Sequence, residues 1–223
     1  MQLWRTIEDQ SDYALQKIVS ADREDLELLG FFVDEYKPHK TEANESSRLG
    51  YDYLIFTSFR YPPPVPPCKA ARFRPPHSLK NVFYGATDLP TSIDEHAYYF
   101  MRERRHLPNP TGSNEPRLNY TVAFDATGMI DLTGISNIAA IIDRQDYSES
   151  HVYITENPCD SLLYPSARNP KGKCVACFEI TKLGKRPNSR EQFRFTYDKG
   201  QDSCQVQSES REIKFDISWQ SIS

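Results

Sequence analysis

Arg72 and Arg74, Tyr84, Glu95 and Ser166 have side chains whose types could share chemistry on one ligand. Guanidinium groups bind phosphate oxygens through paired donors. A tyrosine ring offers a flat face for stacking, and a serine hydroxyl both donates and accepts a hydrogen bond. Arg72, Tyr84 and Glu95 fall in one short stretch, and Ser166 lies far downstream. Each also has a plain structural reading: a surface arginine, a core tyrosine, a capping glutamate, a turn serine. Spacing alone therefore leaves a shared site open.

The elements that would position these groups can be read from the local pattern. Val82-Phe83-Tyr84 reads as a short buried strand ending at the small residues Gly85-Ala86. Thr91 and Ser92 can each cap a helix, with Asp94 and Glu95 three residues further on, the capping-box spacing. This places Glu95 in the first turn, where the helix dipole favours an ionised carboxylate. The helix runs through Ala97, Tyr98, Phe100 and Met101 to Arg105. Leu162-Leu163-Tyr164 reads as a short buried strand that delivers Ser166, and residues 174–180 as another strand.

The rest of the chain divides as follows. Residues 3–37 read as helical, ended by Lys37-Pro38 because proline disfavours helix in the residue before it. Residues 51–56 are rich in strand formers. The run Pro62–Pro67 favours polyproline II and suits a stiff connector into Arg72. Residues 106–117 read as a loop, 120–124 as a strand, 125–128 as a turn and 129–132 as extended. Ile135, Ile138, Ala139 and Ile142 have helical spacing, and 147–156 is a second helix candidate. Phe193, Phe195 and Tyr197 share one strand face, and Ile213, Phe215, Ile217 and Trp219 another. The fold class is α+β: a single domain over 1–223, with a helical N-terminal part over 1–57 and a β-rich core over 58–223.

Composition excludes several classes. Lys and Arg number 27 against 31 Asp and Glu, a net charge of −4. A general nucleic-acid binder carries a basic field, so direct nucleic-acid binding is not expected. No apolar run reaches membrane length, and the start lacks the layout of a signal peptide. Five cysteines are an odd number without a framework, which points to free thiols in a reducing compartment. Cys174 and Cys177 stand three apart in a strand and so face opposite ways. Without a second pair, and with five histidines at no ligand spacing, no metal is expected. Glycine is scarce, at 9, and no phosphate-cradling glycine loop is present. Arg102, Arg104 and Arg105 read as a solvated helix end, where positive charge suits the dipole.

An ordered set of short blocks then carries a resemblance. These are Leu3-Trp4-Arg5, Phe59-Arg60-Tyr61-Pro62-Pro63, Arg72-Phe73-Arg74, Phe83-Tyr84-Gly85-Ala86 and Glu95 with Tyr98-Tyr99. Further on come Ile130-Asp131-Leu132-Thr133, Asp146-Tyr147 and the run Tyr164-Pro165-Ser166-Ala167-Arg168-Asn169-Pro170. Together they resemble the RES-domain family, bacterial toxins named for an Arg, a Glu and a Ser, over nearly the whole chain. The resemblance implies a fold similar to ADP-ribosyltransferases and degradation of NAD as substrate, with no further cofactor. It also implies a bacterial, cytoplasmic protein, a helix-turn-helix antitoxin as partner, and often a homodimer. Carried over residue by residue, it places the family's Arg at Arg72, its Tyr at Tyr84, its Glu at Glu95 and its Ser at Ser166. Ala70-Ala71 stand before Arg72 where many members have glycine, and Arg74 lies two residues on, so Arg74 competes for the arginine role.

In that setting Glu95 would face the ribose, where positive charge develops as the nicotinamide bond breaks. Arg72 would clamp the pyrophosphate, helped by Arg60, Arg74 or Arg168. Tyr84 would stack on the nicotinamide ring and Ser166 would hydrogen-bond it. The acceptor is water or phosphate, for a glycohydrolase or a phosphorylase. A protein side chain as acceptor would make the chain a mono-ADP-ribosyltransferase, and a third reading is a non-catalytic interaction module.

Overall fold

Leu3, Arg5 and Ile7 alternate with Trp4 and Thr6, the period of an extended chain with two different faces. In the computed structural model this segment is strand β1 (Gln2–Glu8), and it stands at the centre of the sheet. The expectation of a helix beginning at residue 3 is thereby corrected. The structure describes residues 1–8, 50–60, 71–76, 78, 80–107, 114–210 and 213–223. The rest of the expected N-terminal helical part up to residue 49, and the proline run, lie outside the described residues.

The described residues form one nine-stranded sheet and five α-helices. After β1 come helix α1 (Tyr53–Arg60), β2 (Phe83–Ala86), α2 (Leu89–Arg105), β3 (Asn114–Phe124), β4 (Ile130–Asp131), α3 (Ile138–Ile141) and α4 (Ser148–Glu156). They are followed by β5 (Ser161–Pro165), β6 (Lys173–Cys177), β7 (Leu183–Asp198), β8 (Ser203–Ser208), β9 (Lys214–Ser218) and α5 (Trp219–Ile222). Strand order is β4-β5-β6-β2-β1-β3-β7-β8-β9; β4–β5 is parallel and every other pair antiparallel. None of the described helices is long and apolar enough to cross a membrane.

Two further expected elements change type. Tyr51–Phe56 was rich in strand formers, yet Asp52 begins a helix there: its side chain accepts from Leu54 N–H at 3.0 Å and its carbonyl from Phe56 N–H at 3.0 Å. The helix buries Ile55 and Phe56, and burial outweighs local preference. The loop expected over 106–117 gives way to strand from Asn114 onward. Tyr84, Glu95 and Ser166 sit in or beside elements of the expected type.

The pleat sorts the core. Leu163, Val175 and Cys177 pack with Leu3, Phe83 and Ile55 on one face, and Leu162, Tyr164, Cys174 and Ala176 pack with Phe73 and Ile141 on the other. Cys174 and Cys177 thus do face opposite ways, and the four described cysteines are free thiols. A third cluster joins Ile93, Ala97, Phe100 and Met101 of α2 to Phe193, Phe195, Val206 and Ile217. It seats the helix that carries Glu95.

Candidate functional site

Helix α2 begins earlier than the capping pattern implied. Asp88 is the N-cap, accepting from Thr91 N–H at 2.9 Å, and Pro90 occupies the first turn, where a missing N–H costs nothing. Thr91 and Ser92 are instead buried inside the helix. Ser92 joins Thr6 of β1 at 2.9 Å, and Asn119 of β3 donates to Thr6 at 2.8 Å, so a closed polar cluster pins α2 over the sheet. Glu95 consequently lies in the second turn, and the side chains around it, more than the helix end, set its environment.

A gap in the sheet lies beneath this helix. β1 pairs with β3 along seven registered positions, from Gln2↔Ala123 to Glu8↔Arg117, but with β2 only at Trp4↔Ala86. A cleft of about 770 Å³ sits there. Its walls include Arg5 and Ile7 of β1, Tyr84 and Gly85 of β2, Arg72, and the Tyr147 and Tyr164 rings. Above it α2 presents Ser92, Glu95, His96, Tyr99 and Arg102 at steps of three and four residues, one face of a helix.

Glu95 is held from behind. Ser166 Oγ donates to Glu95 Oε1 at 2.6 Å and itself accepts the backbone N–H groups of Arg168 at 3.1 Å and Asn169 at 3.0 Å. Both of the serine's roles are thus committed, and the hydroxyl has one direction in which to give its proton. Cys174 Sγ stands 3.8 Å from the same carboxylate oxygen. Oε1 is thereby anchored to the protein, while Glu95 remains part of the cleft wall. Ser166 is buried and outside that wall. Its hydroxyl donates to Glu95.

Arg72 lines the cleft, and Arg74 does not. Arg72 Nη2 donates to the Asp143 carbonyl at 3.1 Å, and its guanidinium lies 5.6 Å and 5.9 Å from the Tyr147 and Tyr164 ring centres. Its Nε is buried without a hydrogen-bond partner among the described residues, a costly state for a charged donor unless a ligand supplies an acceptor. The Tyr84 hydroxyl accepts from Phe73 N–H at 3.4 Å. Burial pushes that phenol up to about 12, so Tyr84 presents a neutral ring.

A family model, described as RES domain, matches residues 45–198. The chain belongs to the RES domain family. A comparison with curated proteins gives no match. The matched segment of this RES domain holds Arg72, Tyr84, Glu95 and Ser166, while β1 lies before it and β8, β9 and α5 after it. The central strand of the cleft, with Arg5, is therefore outside the family match but inside the same sheet.

The remaining arginines go to different places. Arg168 is buried; it donates to the Ile222 carbonyl at 3.1 Å and stacks 3.3 Å from the Tyr98 ring centre. It ties α5 to the Ser166 loop and is not part of the cleft wall. The Arg60 side chain lies outside the described residues. Arg104, expected at a solvated helix end, is buried: it donates to the Phe100 carbonyl at 3.0 Å and pairs with Glu115. Burial pushes Glu115 up, but Arg104 and Arg117 outweigh it and hold the carboxyl below its usual range. Arg117 completes the network, 2.9 Å from Glu115 and donating at 2.9 Å to His96 Nε2. Burial first, then these guanidinium charges, lower His96 to about 3, so it lines the cleft as neutral imidazole.

Arg5, His96, Tyr99, Arg102, Tyr147 and Tyr164 were not assigned to the site from sequence. Arg5, Tyr99, Tyr147 and Tyr164 nevertheless stood inside the blocks that carry the resemblance. Tyr99 and Arg102 follow Glu95 at helical steps, a signal legible once α2 is recognised.

Asp94, beside Glu95, accepts from Asn169 Nδ2 at 2.9 Å. Burial, with smaller contributions from Glu95 and Asp88, raises its pKa from 3.8 to about 6. A carboxyl whose folded pKa exceeds the unfolded value stabilises the fold when protonated. Stability from this group is therefore present below 3.8 and is lost as the pH rises through about 6. Asp94→Asn, which keeps an acceptor for Asn169, should remove that loss. Urea midpoints for the variant and the parent should separate between those two pH values in favour of the variant, and parallel curves would show that Asp94 is not perturbed.

Proposed function

We propose that this RES domain cleaves the N-glycosidic bond between nicotinamide and ribose in NAD. The observation that carries the reading is the Glu95 carboxylate in the cleft wall, anchored through one oxygen by a serine whose hydroxyl has no other direction to donate. The bond from the ribose anomeric carbon to the pyridinium nitrogen breaks with its electron pair going to nicotinamide, which leaves neutral. The ribose carbon becomes positive, and a fixed carboxylate stabilises that charge more than it stabilises the bound substrate. Water or phosphate then adds its oxygen to the carbon, and water gives up a proton.

Arg72 takes the pyrophosphate, as the one of the two arginines, Arg72 and Arg74, that lines the cleft. Tyr84, Tyr147 and Tyr164 give the nicotinamide flat walls. Ser166 acts as a positioning residue for Glu95. Arg72→Ala should raise the KM for NAD and lower kcat, together by about tenfold to a hundredfold, as expected for lost charge-assisted hydrogen bonds. If Arg74→Ala does this and Arg72→Ala does not, the arginine is misassigned. The reading extends to a bacterial cytoplasmic toxin restrained by a helix-turn-helix antitoxin, with a homodimer as its assembly.

The test is incubation of the purified protein with NAD, with and without phosphate, following nicotinamide, ADP-ribose and ADP-ribose 1″-phosphate. Nicotinamide release supports the reading, and the phosphate comparison names the acceptor. Absence of release in both buffers overturns it; label from NAD appearing on a protein band would instead identify a transferase.

A further inference from the structure

We infer that Arg102, carried on Tyr99, holds the adenosine-phosphate half of the dinucleotide, the part distal to the bond that breaks; this rests on the NAD reading above. The face of α2 that lines the cleft does not stop at Glu95. It continues to Tyr99 and then Arg102, seven residues beyond Glu95. At 1.5 Å per residue the Arg102 Cα lies about 10 Å along the helix axis from that of Glu95. A dinucleotide anchored at Glu95 by its nicotinamide ribose is long enough to run along this face to Arg102.

The chemistry at this end suits the second half of the molecule. The Arg102 guanidinium lies 4.8 Å from the Tyr99 ring centre and 5.6 Å from that of Tyr98, and the two rings meet edge to face at 5.2 Å. A guanidinium seated on an aromatic face keeps its other face and its edge donors free. It can therefore stack against a purine base or grip a phosphate. Arg102 is exposed and no described carboxylate pairs with it, unlike its neighbours Arg104 and Arg105, which pair with Glu115 and Asp202. Tyr99 is exposed as well, at 43 %, so the pair is open to a ligand. Arg72 and Arg102 are two of the three guanidinium groups that line the cleft; the third, Arg5, is engaged by Ser58 and the Phe83 ring. Arg72 would serve any nicotinamide nucleotide and Arg102 only a dinucleotide.

The discriminating probe is nicotinamide mononucleotide, which has the scissile bond and one phosphate but lacks the adenosine half. Arg102→Ala should lower the preference for NAD over nicotinamide mononucleotide, measured as the ratio of kcat/KM values, by about tenfold, mainly through the KM for NAD. Arg72→Ala, in contrast, should weaken both substrates and leave the ratio near its starting value. Arg102→Lys should fall between parent and alanine variant, since it keeps charge but loses the planar fork. An unchanged ratio in Arg102→Ala would overturn the inference. If the parent protein releases no nicotinamide, the cleavage reading fails by itself, and calorimetry with ADP-ribose decides the subsite. Weaker binding by Arg102→Ala would uphold it, and equal binding, or none by either protein, would sink it.

Discussion

Replacing Glu95 with glutamine is expected to leave the protein folded and to cut nicotinamide release by about a hundredfold to a thousandfold, the size seen when one fixed electrostatic partner of a transition state is removed. The shape of the side chain is kept. The Ser166 hydroxyl, which donates at 2.6 Å, can still donate to the amide oxygen, and its own acceptance from Arg168 and Asn169 is untouched. What changes is the cleft-facing half of the group: an anion becomes a neutral NH2 whose dipole points the wrong way for a developing positive charge. The loss should appear in kcat, with the KM for NAD close to that of the parent, because ground-state NAD is held by Arg72 and the tyrosines. Single-turnover rates, with urea midpoints to verify folding, provide the measurement. Near-normal turnover in a folded variant would remove Glu95 from the chemistry.

The second large effect is expected away from the cleft, at Gly172. A methyl group there would come within 2.7 Å of Thr91 Cγ2 and 2.9 Å of Thr91 Cβ, and Thr91 is fully buried. Overpacking of this kind costs about 1–3 kcal/mol. It should also reach the site, because the Gly172 carbonyl accepts the Ser166 N–H at 2.9 Å and the Gly172 N–H is given to Asn169 at 2.9 Å. Relief of the overlap is expected to push the Ser166 loop off the start of α2, separating the serine from Glu95. Gly172→Ala should thus lose stability and lower kcat together. Adding Thr91→Ala removes the Thr91 hydroxyl and methyl and should restore part of both, a coupling that a double-mutant cycle measures. A Gly172→Ala protein as stable and active as the parent would refute the tight contact.

Much of the candidate site was legible because its carriers are short and locally consistent. Tyr84 lies in a short strand as expected, although that strand starts at Phe83 and continues through Gly85 and Ala86 instead of ending before them, and Ser166 follows a strand buried on both faces. The tether from Ser166 to Glu95 was not legible, since it spans 71 residues and depends on how a loop packs on a helix. Around α2, three polar residues compete to cap. Asp88 wins over Thr91 and Ser92 because burial against Gly172 and Thr6 claims those two, which no local rule reveals. The largest misreading was β1. Its alternation was present in Leu3, Arg5 and Ile7, but it was absorbed into a longer helical pattern. The pairing that makes it a strand involves residues more than a hundred positions away. Tyr51–Phe56 failed in the opposite sense, strand-like by composition and helical because Asp52 caps it and the sheet buries one side.

The central position of β1 has a consequence for synthesis. β1 finds its long partner only when β3, more than a hundred residues later, has left the ribosome, and its other neighbour, β2, is itself held by β6. The Ser166–Gly172 loop that fixes the carboxylate emerges between β5 and β6. Contacts of such long range form late, after the loop-closure entropy between them has been overcome. A nascent chain thus has no assembled cleft until β6 has been made, and any reaction that the finished site performs is withheld from the unfinished chain by topology alone.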